Sequence, residues 1–137
     1  MESRRIKVII SGQKSEAFVK YDSERLIMTF SEADNFKKKY HDKDLFTCLA
    51  KIRIDFPNIC FLCKGAKINV FPSRMTSQMS SGLIAYEMTL HKQATRENIV
   101  NIFDYEEKNL TTNPKEQVDF FRNWLKSLGA EDYEKYN

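Results

Sequence analysis

Residues 58–71, NICFLCKGAKINVF, come directly after a helical pattern that stops at Pro57, and they set Ile, Cys, Phe and Val in two apolar runs on either side of Lys64 and Gly65. Such runs suit two buried strand segments. Just upstream, Leu45, Leu49, Ile52 and Phe56 recur at three- and four-residue steps, so residues 43–55 are predicted to be a helix, with Asp42 or Asp44 as its cap. Further upstream, residues 5–11 and 18–30 are rich in β-branched and aromatic side chains and are predicted strands, the second folding back at Tyr21, Asp22, Ser23 and Glu24. Between them and the helix, Ser31 followed by Asp34 looks like a capped helix start, with Ala33, Phe36 and Tyr40 on one face and Lys37, Lys38 and Lys39 turned mostly outward.

Downstream, residues 82–90 and 99–103 are further strand candidates. Asn113, Pro114 and Glu116 then stand in register as cap, first-turn proline and third helical residue, ahead of Val118, Phe121, Trp124, Leu125 and Leu128. This predicts a last helix packed through an aromatic face, with Trp124 in the core, Gly129 as its stop and residues 129–137 as a frayed acidic tail. The expectation is a single α+β domain over residues 1–137, a mixed and mainly antiparallel sheet of about five or six strands with two or three helices packed on it.

Size and composition agree with one packed core. A chain of 137 residues buries about two-thirds of the surface that its unfolded form exposes, and needs neither metal nor disulfide to do so. Hydrophobic residues make up 42% of it while Gly and Pro total seven, which excludes collagen-like, linker-like and largely disordered classes. No apolar run approaches the roughly 20 residues of a membrane-spanning helix, and the N-terminus lacks the apolar stretch and cleavage site of a signal peptide. A cytoplasmic protein is expected, and the odd number of cysteines, Cys48, Cys60 and Cys63, all among apolar neighbours, fits buried free thiols in a reducing compartment. The net charge of +3 is unevenly spread, with residues 1–70 at +5 and residues 71–137 at −2.

No catalytic constellation emerges. Cys60 and Cys63 form a single CxxC without a second pair or a nearby histidine, too few ligands for structural zinc, and the apolar residues around them argue for core packing. His41 and His91 are the only histidines; a ribonuclease-like acid and base pair would need two, yet one lies near a predicted helix end and the other in a polar turn. Ser73, Ser77, Ser80 and Ser81 cluster without a GxSxG, an SxxK or a glycine-rich phosphate loop. That stretch is predicted to be a loop or short helix with Met75 and Met79 filling one face and the serines in solvent, while Arg74 binds an anion or closes a salt bridge. Neither catalytic residues, nor a metal, nor a cofactor is expected.

The segment GAKINVFPSRMTSQMSSGLIAYEM, followed by VNIFDYEE and NPKEQVDFFRNWLKSL, resembles a family of small immunity proteins encoded beside contact-dependent growth-inhibition and related polymorphic toxins of Gram-negative bacteria. The resemblance covers residues 56–128. It implies a cytosolic protein that does no chemistry, binds one delivered toxin domain in a 1:1 complex, commonly a nuclease, and neutralises it by covering its active or substrate-binding site. The tool expected for covering a phosphate-binding site is a set of carboxylates around an aromatic anchor, and Asp104, Tyr105, Glu106 and Glu107 match it best, with Arg74 as a further contact. Two other functions compete. A nucleic-acid-binding module would use the basic N-terminal half, including Lys37, Lys38, Lys39 and Lys43 with Phe36 and Tyr40, whereas a small enzyme would rest on the histidines alone.

Overall fold

The computed structural model describes residues 1–32 and 36–129, and the side chains of residues 36 and 37 lie outside what it describes. Five strands open and close the first sheet: β1 (Glu2–Ile10), β2 (Gln13–Asp22), β3 (Ile27–Glu32), β4 (Phe36–His41) and β5 (Ile59–Phe61), in the order β4-β3-β2-β1-β5 with every pair antiparallel. Helix α1 (Leu45–Asp55) packs on one side of it, touching β3 and β4. A second, three-stranded antiparallel sheet is ordered β6 (Val70–Phe71), β7 (Ile84–Glu87), β8 (Ile99–Asn101), with the short α2 (Arg74–Met79) between its first two strands and α3 (Pro114–Ser127) against β6. The fold is thus α+β, with its strands divided between two sheets.

Period-two alternation decides the first sheet. Ile6 and Val8 on β1, Ala17, Val19 and Tyr21 on β2, and Met28 and Phe30 on β3 all point inward and are buried. They meet Leu45, Leu49 and Ile52 of α1, a helix whose cap is Asp44, the side chain of which accepts the Thr47 N–H at 2.7 Å. A second cluster gathers Met88, Trp124 and Leu125 with Phe71, Phe120 and Phe121 around the inner side of α3. Trp124 is fully buried there and donates its indole N–H to the Lys92 carbonyl at 2.9 Å.

Three expectations are corrected. Residues 36–41 form strand β4 and not the end of a helix, because pairing along Ile27–Glu32 satisfies their backbone and separates Lys38 and Lys39 onto opposite faces. Ser31, expected to cap that helix, lies within β3 opposite Phe18, while Ala33 and Asp34, like the tail from residue 130, fall outside the described residues. Helix α3 ends at Ser127, and its cap Leu128, at φ −92°, sends its N–H to the Leu125 carbonyl, so Gly129 is not needed in a left-handed stop. The reversed side-chain pattern of α2 is the third.

Candidate functional site

Helix α2 is six residues long and could not stand alone. Its serines hold it. Ser73 caps it by accepting the Thr76 N–H at 3.1 Å, Ser77 donates to the Asp44 carboxylate, and Ser81 donates to the Ser23 carbonyl at 2.8 Å. The Leu45 N–H also bonds the Ser81 carbonyl at 2.7 Å, so the turn after α2 is stitched to the start of α1. Gly82 permits that approach: its φ is +79°, and a Cβ there would stand 2.8 Å from that of Asp44. Asp44 therefore ends one helix and anchors another.

With its hydroxyls turned inward, α2 presents Met75 and Met79 to solvent, 59% and 81% exposed. This inverts the expected arrangement, because buried hydroxyls that find partners are tolerated while the Asp44 carboxylate, 1% exposed, requires them. On another side of α2, lined by Arg74, Ser77 and Gln78, a groove of about 600 Å³ opens between the three helices, floored by Phe46, Phe71, Pro72, Val118 and Phe121. Lys43 and Arg74 stand on its rim. Neither forms an ion pair with a described residue, so the salt bridge expected of Arg74 is absent among them.

The acidic turn that follows β8 does not act as one patch. Residues 102–106 run beside residues 62–65, with the Lys64 N–H on the Asp104 carbonyl at 2.8 Å and Tyr105 bridged to Cys63. Asp104 lies 3.8 Å from the Arg4 guanidinium. Tyr105 is half exposed and donates its hydroxyl to Glu107 at 2.9 Å. Glu106 is drawn inward: one carboxylate oxygen accepts from Lys67 at 2.6 Å and Lys64 at 3.0 Å, and the other accepts the N–H groups of Glu107 and Lys108. Those bonds, the Lys67 one foremost, hold its pKa down at about 2. Glu87, which burial alone would raise, is also held below its ordinary value by hydrogen bonds from Lys64 and Lys67.

Sequence reasoning missed a buried cation. Arg53 is 2% exposed and has no carboxylate within reach among the described residues; its guanidinium donates to Gln117 at 2.6 Å, to the Thr111 carbonyl at 2.6 Å and to the Gly65 carbonyl at 3.2 Å. Burial lowers its pKa to about 10. Gln117, fully buried, completes the network by donating to the carbonyls of Gly65 and Lys67 at 2.9 and 2.8 Å. The signal was there to be read: Arg53 follows Ile52 and stands four residues after Leu49, on the buried side of α1.

Cys63 and Cys48 are buried free thiols pushed up to about 11 by burial, and Cys60 is half buried and also raised for the same reason. His41 lies on β4 and His91 in a turn at φ +69°, its N–H on the Ser127 hydroxyl, and the two share no hydrogen-bond partner. Among the described residues no group of three or more His, Cys, Asp or Glu is arranged around a metal position, and no helix is long and apolar enough to cross a membrane. No protein-family model matches the chain, and no curated protein matches it.

Proposed function

We propose that this chain is an immunity-type protein that binds and neutralises one delivered toxin domain, a nuclease by expectation, and that α2 with the groove beside it is the docking surface. One observation carries the proposal: a helix locked by its own serines holds two methionines in solvent, and an apolar groove opens along another side of the same helix. Exposed apolar surface with a charged rim is the physical mark of a protein contact, and methionine adapts its shape to what covers it. The resemblance over residues 56–128, which include all of α2, supports the same reading. Lys43 and Arg74 on the rim select a toxin surface that carries carboxylates beside its apolar contacts. Asp104, Tyr105 and Glu107 form a second, smaller contact, whereas Glu106 is committed to its lysines.

The test is growth rescue and calorimetry with the toxin domain encoded beside this gene. Met75→Ser with Met79→Ser and Arg74→Glu should abolish rescue and weaken binding at least about tenfold, the scale of a central contact. His41→Ala with His91→Ala should leave rescue intact. Full protection by the α2 variant, with the protein folded, sinks the docking surface; lost protection in the histidine variant returns the enzyme reading.

A further inference from the structure

The strand register sorts the side chains of the first sheet onto two faces, and the face turned away from α1 is basic. Its rows run Ser3, Lys20, Thr29, Lys39 and Arg5, Phe18, Ser31, with Lys7 opposite Glu16 and Ile9 opposite Lys14. Arg5, Lys7, Lys14, Lys20 and Lys39 are exposed there, against two described carboxylates on the same face, Glu16 and Asp22, the latter at the sheet end beside Arg25. None of these five cations forms an ion pair with a described carboxylate. By contrast Lys38, Lys51, Lys64 and Lys67, which lie elsewhere, are all paired. Alternation even splits neighbours: Lys38 bonds Asp55 of α1 at 2.6 Å, while Lys39 stays free on the other face.

Aromatic surface is set among these charges. Phe18, 39% exposed, lies mid-sheet with the Arg5 guanidinium 5.8 Å from its ring centre. At the β1 edge a hollow of about 390 Å³ joins Arg5, Lys7 and Lys14 to Leu62, Phe103 and the half-exposed Tyr105. Ser3, Thr29 and Ser31 keep the ground between the cations low. Tyr40 belongs to the opposite, buried side, so the basic surface is not the one formed by Lys38 and Tyr40.

We infer that this outer sheet face binds single-stranded nucleic acid, holding its phosphates with the unpaired cations and stacking bases on Phe18 and Tyr105, without reading sequence. Unpaired cations on one surface favour a polyanion, since each phosphate contact releases counterions. The exposed rings favour a single strand, because bases inside a duplex offer no face to stack on. The surface is separate from the α2 groove and shares only Tyr105 with the smaller toxin contact, so its failure would leave docking at α2 untouched.

Fluorescence anisotropy with labelled mixed-sequence RNA and DNA strands of about 12 nucleotides, a matching duplex and polyglutamate tests it. Single strands should bind best, weaken about tenfold or more between roughly 50 and 200 mM salt, and show no preference among sequences. Arg5→Glu with Lys20→Glu should weaken binding about tenfold or more and flatten the salt dependence. Phe18→Ala should weaken it about fivefold or more and leave the salt slope unchanged, since stacking is not ionic. Arg5→Gln with Lys20→Gln serves if the charge reversals fail to fold. The inference is overturned if folded protein binds nothing at the lower salt, if Lys43→Glu with Arg74→Glu weakens binding as much as the sheet-face pair, or if polyglutamate binds as well as nucleic acid and Phe18→Ala has no effect.

Discussion

The seam between α1 and α3 and the helix α2 are both held by buried polar atoms, but they face opposite ways. In the seam, Arg53 donates to the Gln117 amide oxygen and to carbonyls, Gln117 donates to carbonyls alone, and both side chains are buried away from any partner. In α2 the serines and Asp44 also turn inward, yet the side chains left outside are Met75 and Met79. Polar groups inside cost nothing once bonded; apolar groups outside carry no stabilising role and are free for another. Stability and binding therefore sit on different residues, and each substitution below tests that division.

The largest effect falls on the seam. Arg53→Ala removes every donor of a fully buried guanidinium and leaves the Thr111 carbonyl and the Gln117 amide oxygen without it, so unfolding free energy should fall by about 3–5 kcal/mol. Urea denaturation followed by circular dichroism measures it, and a loss under about 1 kcal/mol would mean that water replaces the guanidinium without cost. Gln117→Leu keeps volume but leaves the Gly65 and Lys67 carbonyls short of a donor, and should cost about 1–3 kcal/mol. The double variant should cost less than the sum, because the two share a bond of 2.6 Å.

That seam also marks where the sequence was legible and where it was not. Local pattern exposed α1 with a cap at Asp42 or Asp44, of which the structure uses Asp44, the strands of the first hairpin, and α3 behind Asn113 and Pro114, since capping and periodicity act within a few residues. It failed at β4, where Ala33, Phe36 and Tyr40 carry helical spacing but the partner strand Ile27–Glu32 offers a hydrogen-bond ladder. It failed at Arg53 as well, whose partners lie 12, 58 and 64 residues away. The site fared worse than the fold: the acidic run at residues 104–107 reads as one cluster, but only register with Lys64 and Lys67 reveals that Glu106 is taken. In α2 the hydropathy of Met and Ser pointed the wrong way, because the deciding fact was the buried Asp44.

Acid should separate the two kinds of polar lock. Arg53 and its neutral partners gain and lose no proton as pH falls from neutrality, so the seam is indifferent to acid. Glu106 is different: its folded pKa of about 2 lies below the ordinary value of 4.5. A depressed carboxylate stabilises the fold at pH above its unfolded pKa, and that stabilisation drains away as pH falls toward the folded one. Stability should thus drop between about pH 4.5 and 2, with Glu87 contributing in the same direction. Glu106→Gln should flatten this part of the profile, and Arg53→Met should shift the whole curve without changing its shape. An unaltered acid slope in Glu106→Gln would place the acid-sensitive group elsewhere.

The smallest effect on stability belongs to Met75 and Met79, and it carries the other half of the comparison. Both side chains stand in solvent on a helix fastened from its opposite side, so removing their apolar surface takes little from the folded state. Met75→Ser with Met79→Ser should change unfolding free energy by no more than about 0.5 kcal/mol, the range of surface substitutions. Trimming the fastening instead, with Ser77→Ala, leaves one Asp44 oxygen short of its donor and should cost about 1–2 kcal/mol, although it leaves both methionines in place. Thermal unfolding of the two variants side by side gives the answer: if the methionine pair destabilises as much as Ser77→Ala, then those side chains pack against the protein itself, and the surface of α2 is not available to a toxin.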